Sequence, residues 1–247
     1  MHLPLPPPTL ARDAALFIDF DGTLVDLAPT PDAVRPAAHL PALLARLAAR
    51  LGGRLALVSG RGAAELAAFL GDPPLIVAGS HGVETRRPDG RIDAPAAPDT
   101  QALLAALRGF VADHPGTLAE EKRFGAALHW RQAPEAEAAA TAFAVDLAER
   151  HRLHLQPGKM VAELRAAGGD KGDAVTILMR QPGWTGTRPL FLGDDLTDEA
   201  GFSAAAALGG AGILVGDPRD TAAAYRLPDV AGTLAWLAEA EAHATAS

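Results

Sequence analysis

A chain of 247 residues, 49% of them hydrophobic, is long enough for one large domain or for a core carrying a smaller insert. The net charge of −8, with no Lys/Arg cluster, argues against a nucleic-acid partner, and no apolar run is long enough to span a membrane. The absence of cysteine removes disulfide and thiol chemistry; with no signal-peptide pattern ahead of the first apolar stretch, a cytoplasmic location is the default.

Residues 1–11 are proline-rich and read as a loose tail. The apolar run Ala14 to Ile18 predicts a buried strand, ending at Asp19-Phe20-Asp21-Gly22-Thr23-Leu24. Side chains alternate along a strand, so Asp19 and Asp21 project to one side and Phe20 to the other. Two carboxylates this close repel unless a cation lies between them, which suits a hard, oxygen-preferring ion such as Mg2+. A proline-spaced loop follows, then a helix over 39–51 with Leu40, Leu43, Leu44, Leu47 and Leu51 on one face, stopped by Gly52-Gly53. Leu55 to Val58 is a second short strand ending at Ser59-Gly60-Arg61. A helix over 63–70 leads to a third strand over 75–78, ending at Gly79-Ser80-His81-Gly82. Strand and helix in alternation predict a parallel sheet with right-handed crossovers.

The pattern then changes. A hairpin over 83–93 turning at Pro88-Asp89-Gly90, helices over 102–112 and 134–150, extended segments over 118–131, and a strand pair over 151–165 turning at Gln156-Pro157-Gly158 suggest an α+β insert spanning 84–166. The parallel pattern resumes with a helix over 171–179 and a fourth strand over 189–192, ending at Gly193-Asp194-Asp195. A helix near 197–206, a fifth strand over 212–215 and a terminal helix over 230–242 complete the core, assigned to 12–83 and 167–243.

In open parallel sheets, ligands bind beyond the carboxyl ends of the strands. Here those ends carry Asp19 and Asp21, Ser59, His81, and Asp194 and Asp195, while Lys171 opens a helix after Gly168-Gly169-Asp170. Together they predict an acidic metal pocket with a hydroxyl and an ammonium to hold further anionic oxygens. His81 reads as structural and Trp130 as part of the insert's core.

The run Asp19-Phe20-Asp21-Gly22-Thr23, then Val58-Ser59-Gly60-Arg61, Lys171, and Gly193-Asp194-Asp195-Leu196-Thr197-Asp198-Glu199, resembles the four ordered motifs of the haloacid dehalogenase superfamily. Within it the chain is similar to trehalose-6-phosphate phosphatases: Glu120-Glu121-Lys122, His129-Trp130-Arg131, Gly158-Lys159 and Glu163-Leu164-Arg165 resemble that family's sugar-binding cap. The resemblance implies a Rossmann-like α/β core with an inserted α+β cap, and Mg2+-dependent hydrolysis of trehalose 6-phosphate. Asp19 would attack phosphorus and Asp21 would act as acid, then base. Asp19, the backbone carbonyl of Asp21 and Asp194 would hold the metal, and Asp195 or Asp198 would orient the metal shell or Lys171. Ser59, Lys171 and the backbone around Gly22 and Thr23 would serve the phosphate, and Arg61 would bind the substrate. Glu120, Lys122, His129, Arg131, Lys159 and Glu163 would meet the sugar and close over it. The expected partner is a small sugar phosphate and the expected state a monomer. Rival readings are a phosphatase for another sugar phosphate, a non-catalytic sugar-phosphate sensor and a phosphotransferring mutase.

Overall fold

The computed structural model describes residues 3–96, 99–165 and 169–243. The chain divides into two compact units, Met1–Ala94 with Gly169–Ser247, and Pro95–Gly168. Elements run in order as β1 (Ala14–Ile18), α1 (Leu40–Arg50), β2 (Leu55–Val58), α2 (Ala63–Phe69), β3 (Ile76–Gly79), β4 (Glu84–Arg86) and β5 (Ile92–Asp93). The second unit holds α3 (Gln101–Asp113), β6 (Leu118–Lys122), β7 (Gly125–His129), α4 (Glu137–His151), β8 (His154–Gly158) and β9 (Val161–Arg165). The chain then returns through α5 (Lys171–Met179), β10 (Arg188–Gly193), α6 (Glu199–Ala207), β11 (Ala211–Val215), β12 (Tyr225–Leu227) and α7 (Val230–His243).

The first unit is a doubly covered sheet in the order β12-β11-β10-β1-β2-β3-β4-β5, parallel from β12 to β3. Every residue of β1 is buried because the strand alternates between two cores. Ala14, Leu16 and Ile18 pack with α1 and α7 through Leu44, Leu47 and Leu237. Ala15 and Phe17 pack with α5 and α6 through Val175, Leu178 and Phe202. A strand buried on both faces needs a continuous apolar run rather than a polar alternation, and that is what the sequence carries here. Truncating Leu16 to Ala would cost about 2–5 kcal/mol in such a setting.

The structure departs from the sequence reading in four places. The hairpin β4–β5, expected within the insert, pairs antiparallel onto β3 and belongs to the large sheet. Its local pattern signals a hairpin but not which sheet receives it. The insert's other expected boundary, between residues 166 and 167, lies outside the described residues. The proline-rich N-terminal segment is tied down: Arg226 N–H donates to the Pro4 carbonyl at 2.9 Å, and the Trp236 indole N–H donates to the Pro7 carbonyl at 2.8 Å. An edge strand leaves backbone donors unpaired, and prolines still offer carbonyls to them. That edge strand, β12, was not anticipated. Finally, Gln156, Pro157 and Gly158 lie within β8, and the chain turns at Lys159-Met160 instead. Pro157 is tolerated because β8 is the outer strand of its sheet.

The second unit is a four-stranded antiparallel sheet in the order β6-β7-β9-β8. One face, carrying Ala126, Leu128, Ala162 and Leu164, packs on Leu103, Leu107, Ala144 and Leu147 of its two helices. Trp130 is buried in the same cluster, as expected.

Candidate active site

The C-terminal ends of β1 and β10 lie side by side, with Asp19 N–H continuing the ladder to the Leu192 carbonyl at 2.9 Å. Two acidic turns therefore leave the sheet next to each other. The first coils tightly: Leu24 N–H donates to the Phe20 carbonyl at 2.9 Å and Gly22 N–H to the Val25 carbonyl at 2.7 Å. The Gly22 N–H, expected to face a phosphate, is thus spent within the turn, as is that of Thr23, which donates to the Phe20 carbonyl. Gly22 is required for a different reason. Its φ is +82°, and a Cβ there would lie 2.2 Å from Asp194 Oδ2, so the Asp194 carboxylate rests against the bare backbone.

Asp19, Asp194 and Asp198 each offer a carboxylate oxygen, all within 4.8 Å of one another. The Lys171 ammonium lies between two of them, donating to Asp19 Oδ1 and to Asp198 Oδ1, each at 2.7 Å. Lys171 is delivered by the first turn of α5, whose start is fixed by reciprocal capping between Asp170 and Asp173. Asp198 spends its second oxygen on the Asp195 N–H at 2.9 Å. Asp195 caps the following turn through Leu196 N–H at 2.7 Å, and its carbonyl accepts from Arg219 at 2.8 Å. Between the two roles left open for Asp195 and Asp198, the geometry attaches Asp198 to Lys171 and gives Asp195 to the turn.

Burial pushes the Asp19 carboxyl well above its usual value; the Lys171 charge opposes the rise, and Asp198 and Asp194 add to it. Burial would lower the Lys171 ammonium, but the charges of Asp19 and Asp198 outweigh it and drive the value up. Three carboxylates meet here with one ammonium bonded to two of them, and Asp19, Asp198 and Lys171 are buried while Asp194 is half-buried. The donor set is all oxygen, and hard divalent cations take such sets. The residues fit a group of that kind, with Asp19, Asp194 and Asp198 each offering a carboxylate oxygen.

Asp21 does not join this cluster. Its carboxylate is gripped by Arg61, with Nε to Oδ2 at 2.7 Å and Nη2 to Oδ1 at 2.9 Å. Arg61 also donates to Glu65 at 2.6 Å, and its guanidinium stands 5.9 Å from the Phe20 ring centre and 5.0 Å from that of Phe69. Arg61, expected to bind the substrate, is engaged by acids on two sides. Ser59 is buried at the end of β2, where its hydroxyl accepts from Arg61 N–H at 3.2 Å. His81 is buried: its backbone N–H donates to the Ser59 carbonyl at 2.8 Å, and its ring leaves no room for a side chain at Gly60.

In the second unit, strand pairing sets Glu120, Ala127, Glu163 and Gln156 in one row across the sheet. Lys122, Gly125, Arg165 and His154 form the next row, so the polar residues share the face away from the helices. Lys122 Nζ lies 3.1 Å from Glu163 Oε2, and His129 Nε2 lies 2.7 Å from Glu120 Oε2. Burial would raise the Glu120 carboxyl, but the His129 hydrogen bond and the Lys122 charge prevail and hold it below the usual range. Lys159 sits in the β8–β9 turn rather than in line with Glu163, and its carbonyl accepts from Arg131 at 3.1 Å.

The trehalose-phosphatase family profile matches residues 17–231, which takes in both acidic turns and the whole second unit. This chain belongs to the trehalose-phosphatase family. Over 233 residues it is 37% identical to trehalose-6-phosphate phosphatase of Escherichia coli, covering 93% of this chain and 87% of that protein. It is 43% identical to a probable trehalose-phosphate phosphatase of Sinorhizobium fredii over 212 residues, 83% of this chain and 78% of the other. In structure it resembles the C-terminal domain of Candida albicans trehalose-6-phosphate phosphatase, with a TM-score of 0.83 at 20% identity over 98% of each chain. A haloacid dehalogenase-like hydrolase from Bacteroides thetaiotaomicron shares the fold at a TM-score of 0.65 and 14% identity, over 92% of this chain and 98% of that one. The expected α/β core of haloacid dehalogenase type is therefore present.

By its family, the chain is a phosphomonoester hydrolase. Three of its residues escaped the sequence reading. Glu84 is buried and accepts from Ala63 N–H at 2.7 Å, capping α2 from a distant strand. Arg219 ties the loop after β11 to Glu199 and to the Asp195 carbonyl. Glu65 backs Arg61 one helical turn on. Only the last had a local signal, the four-residue spacing of opposite charges on a helix start.

Proposed function

We propose that this phosphatase hydrolyses trehalose 6-phosphate to trehalose and phosphate with Mg2+ as its cofactor. The reaction class rests on one observation, Asp19 held beside Lys171 in a buried cluster with Asp194 and Asp198. The substrate rests on the activity for which these relatives are named.

Asp19, the nucleophile, attacks phosphorus and becomes an aspartyl-phosphate, which divides one difficult displacement into two. Lys171 and the Ser59 hydroxyl donate to phosphoryl oxygens, and Asp198 keeps Lys171 aimed. Asp21 gives a proton to the departing sugar oxygen and then takes one from the water that cleaves the intermediate. Asp19, Asp194 and the Asp21 carbonyl would hold a divalent cation, which when bound would neutralise charge on the transferring phosphoryl group. The insert's polar face, with Glu120, Lys122, His129 and Glu163, and Arg131 and Lys159 near its end, offers carboxylates and cations that each bond several sugar hydroxyls. A sensor that never turns over has no use for a nucleophile paired with an acid, which counts against that rival.

Inorganic phosphate release across a panel of sugar phosphates, with Mg2+ and after chelation, tests the reading. Trehalose 6-phosphate should be the preferred substrate, chelation should silence it, and Asp19→Asn should bind without releasing phosphate. Turnover in Asp19→Asn, or undiminished rates after thorough chelation, would remove the mechanism; preference for another sugar would remove the substrate.

A further inference from the structure

We propose that Arg61 is a positioning residue for proton transfer rather than a phosphate ligand: it sets the direction of the Asp21 carboxyl. The inference rests on the phosphatase reading above and deepens it. The guanidinium meets Asp21 edge-on, one N–H to each carboxylate oxygen at 2.7 and 2.9 Å, which fixes the plane of the carboxylate as well as its place. Arg61 in turn is set from three directions. Glu65 takes Nη1 at 2.6 Å, the guanidinium stands beside the adjoining Phe20 and Phe69 rings, and the Arg61 N–H is bonded to Ser59. An arginine whose Nε, Nη1 and Nη2 all meet carboxylates has its charge largely answered before any phosphate arrives. It is better built to aim a neighbour than to bind a further anion.

Asp21 alternates between two forms in the proposed reaction. When it carries a proton, its carbonyl oxygen keeps one Arg61 bond and its O–H faces the leaving oxygen. Once phosphorus has bonded to Asp19, the P–O bond to the sugar has broken and the departing oxygen has taken that proton, Asp21 is a carboxylate again and the two-point grip seen here closes. The water proton then returns to the same oxygen as the aspartyl-phosphate is cleaved. One oxygen stays anchored throughout while the other does the chemistry.

Leaving groups separate aiming from phosphate binding. A sugar phosphate leaves as an alkoxide and needs the proton; p-nitrophenyl phosphate leaves as a weakly basic phenolate and does not. The readout is the ratio of kcat/KM for the alkyl ester to that for the aryl ester, because kcat/KM reports the first transfer alone. We expect Arg61→Gln to lower this ratio about tenfold or more, Arg61→Lys to recover part of the loss, and Asp21→Asn to lower it at least as far. The double variant Asp21→Asn/Arg61→Gln should lose no more of the ratio than Asp21→Asn alone, since Arg61 acts through Asp21. Equal losses on both esters, or additive losses in the double variant, would overturn the proposal in favour of a phosphate contact. Should Arg61→Gln fail to fold, Glu65→Gln loosens the same arginine from the partly exposed side. A two- to threefold fall of the ratio supports aiming, and an unchanged ratio overturns it. Wild-type enzyme that releases phosphate from neither ester would sink the phosphatase reading itself, an outcome distinct from all of these.

Discussion

Lys171 carries the site's electrostatics at the scale of a single residue. It is buried with two carboxylates at 2.7 Å, so its removal leaves Asp19 and Asp198 facing each other without a cation. Breaking a buried ion pair from one side costs about 3–5 kcal/mol, far more than the pair contributes net. Lys171→Met should therefore lose about 3 kcal/mol or more of unfolding free energy in urea with chelator present. Mg2+ should return part of that loss, because a ligand of the native state stabilises it by mass action. A loss under about 1 kcal/mol would mean that the ammonium is not what holds these acids together.

Arg61 and Asp21 show the limit of reading residues from sequence. Both were singled out, yet their union was not, because 40 residues separate them and nothing local records that one side chain will close on the other. Asp19 and Asp194 were legible as neighbours because each ends an apolar run, and runs of that kind line up in parallel sheets. The division of labour between Asp195 and Asp198 was not. Both follow the same strand, and only the turn geometry sends one to Lys171.

Among the elements, those with long apolar runs or strong stops were read to within a residue or two. β2 and α5 are examples, the first bounded by glycines and Ser59, the second opened by a capping aspartate. β12 was missed because Tyr225-Arg226-Leu227 is short and carries a charge, which signals an edge only once a sheet exists to supply one. The β8–β9 turn was misplaced because Pro157-Gly158 is a strong turn signal that edge position overrode. The insert's sheet also yields a pH prediction. Glu120 is held below its ordinary value of 4.5, so its contribution is complete above that pH and is lost as pH falls below it toward the folded value. Thermal unfolding followed downward from pH 5 should show wild type losing stability faster than Glu120→Gln. Parallel curves for the two would place Glu120 outside the insert's stabilising contacts.

For the whole molecule, the N-terminal segment acts as a strap rather than a tail. Two hydrogen bonds to Pro4 and Pro7, with Pro6 buried and Leu10 packed on the core, tie it to β12 and α7. Each bond contributes about 0.5–1.5 kcal/mol, and apolar burial adds to it. Deleting the chain through Leu10 should cost about 2–3 kcal/mol, which at this size lowers Tm by about 4–12 °C. The Trp236 emission should shift to the red as its indole meets water. An unchanged Tm would show that the strap is ornamental.

The contact between Lys171 and Asp19 spans 152 residues of chain. Closing so long a loop from a disordered chain costs about 4 kcal/mol or more in entropy before anything is gained. The intervening unit, Pro95–Gly168, is compact through its own contacts, so once folded it acts as a tether that shortens the search. A ribosome extends the first acidic turn long before Lys171 exists. Until the later segment arrives, those aspartates have no ammonium beside them, and affinity for a cation should be among the last properties that a newly made or refolding molecule acquires.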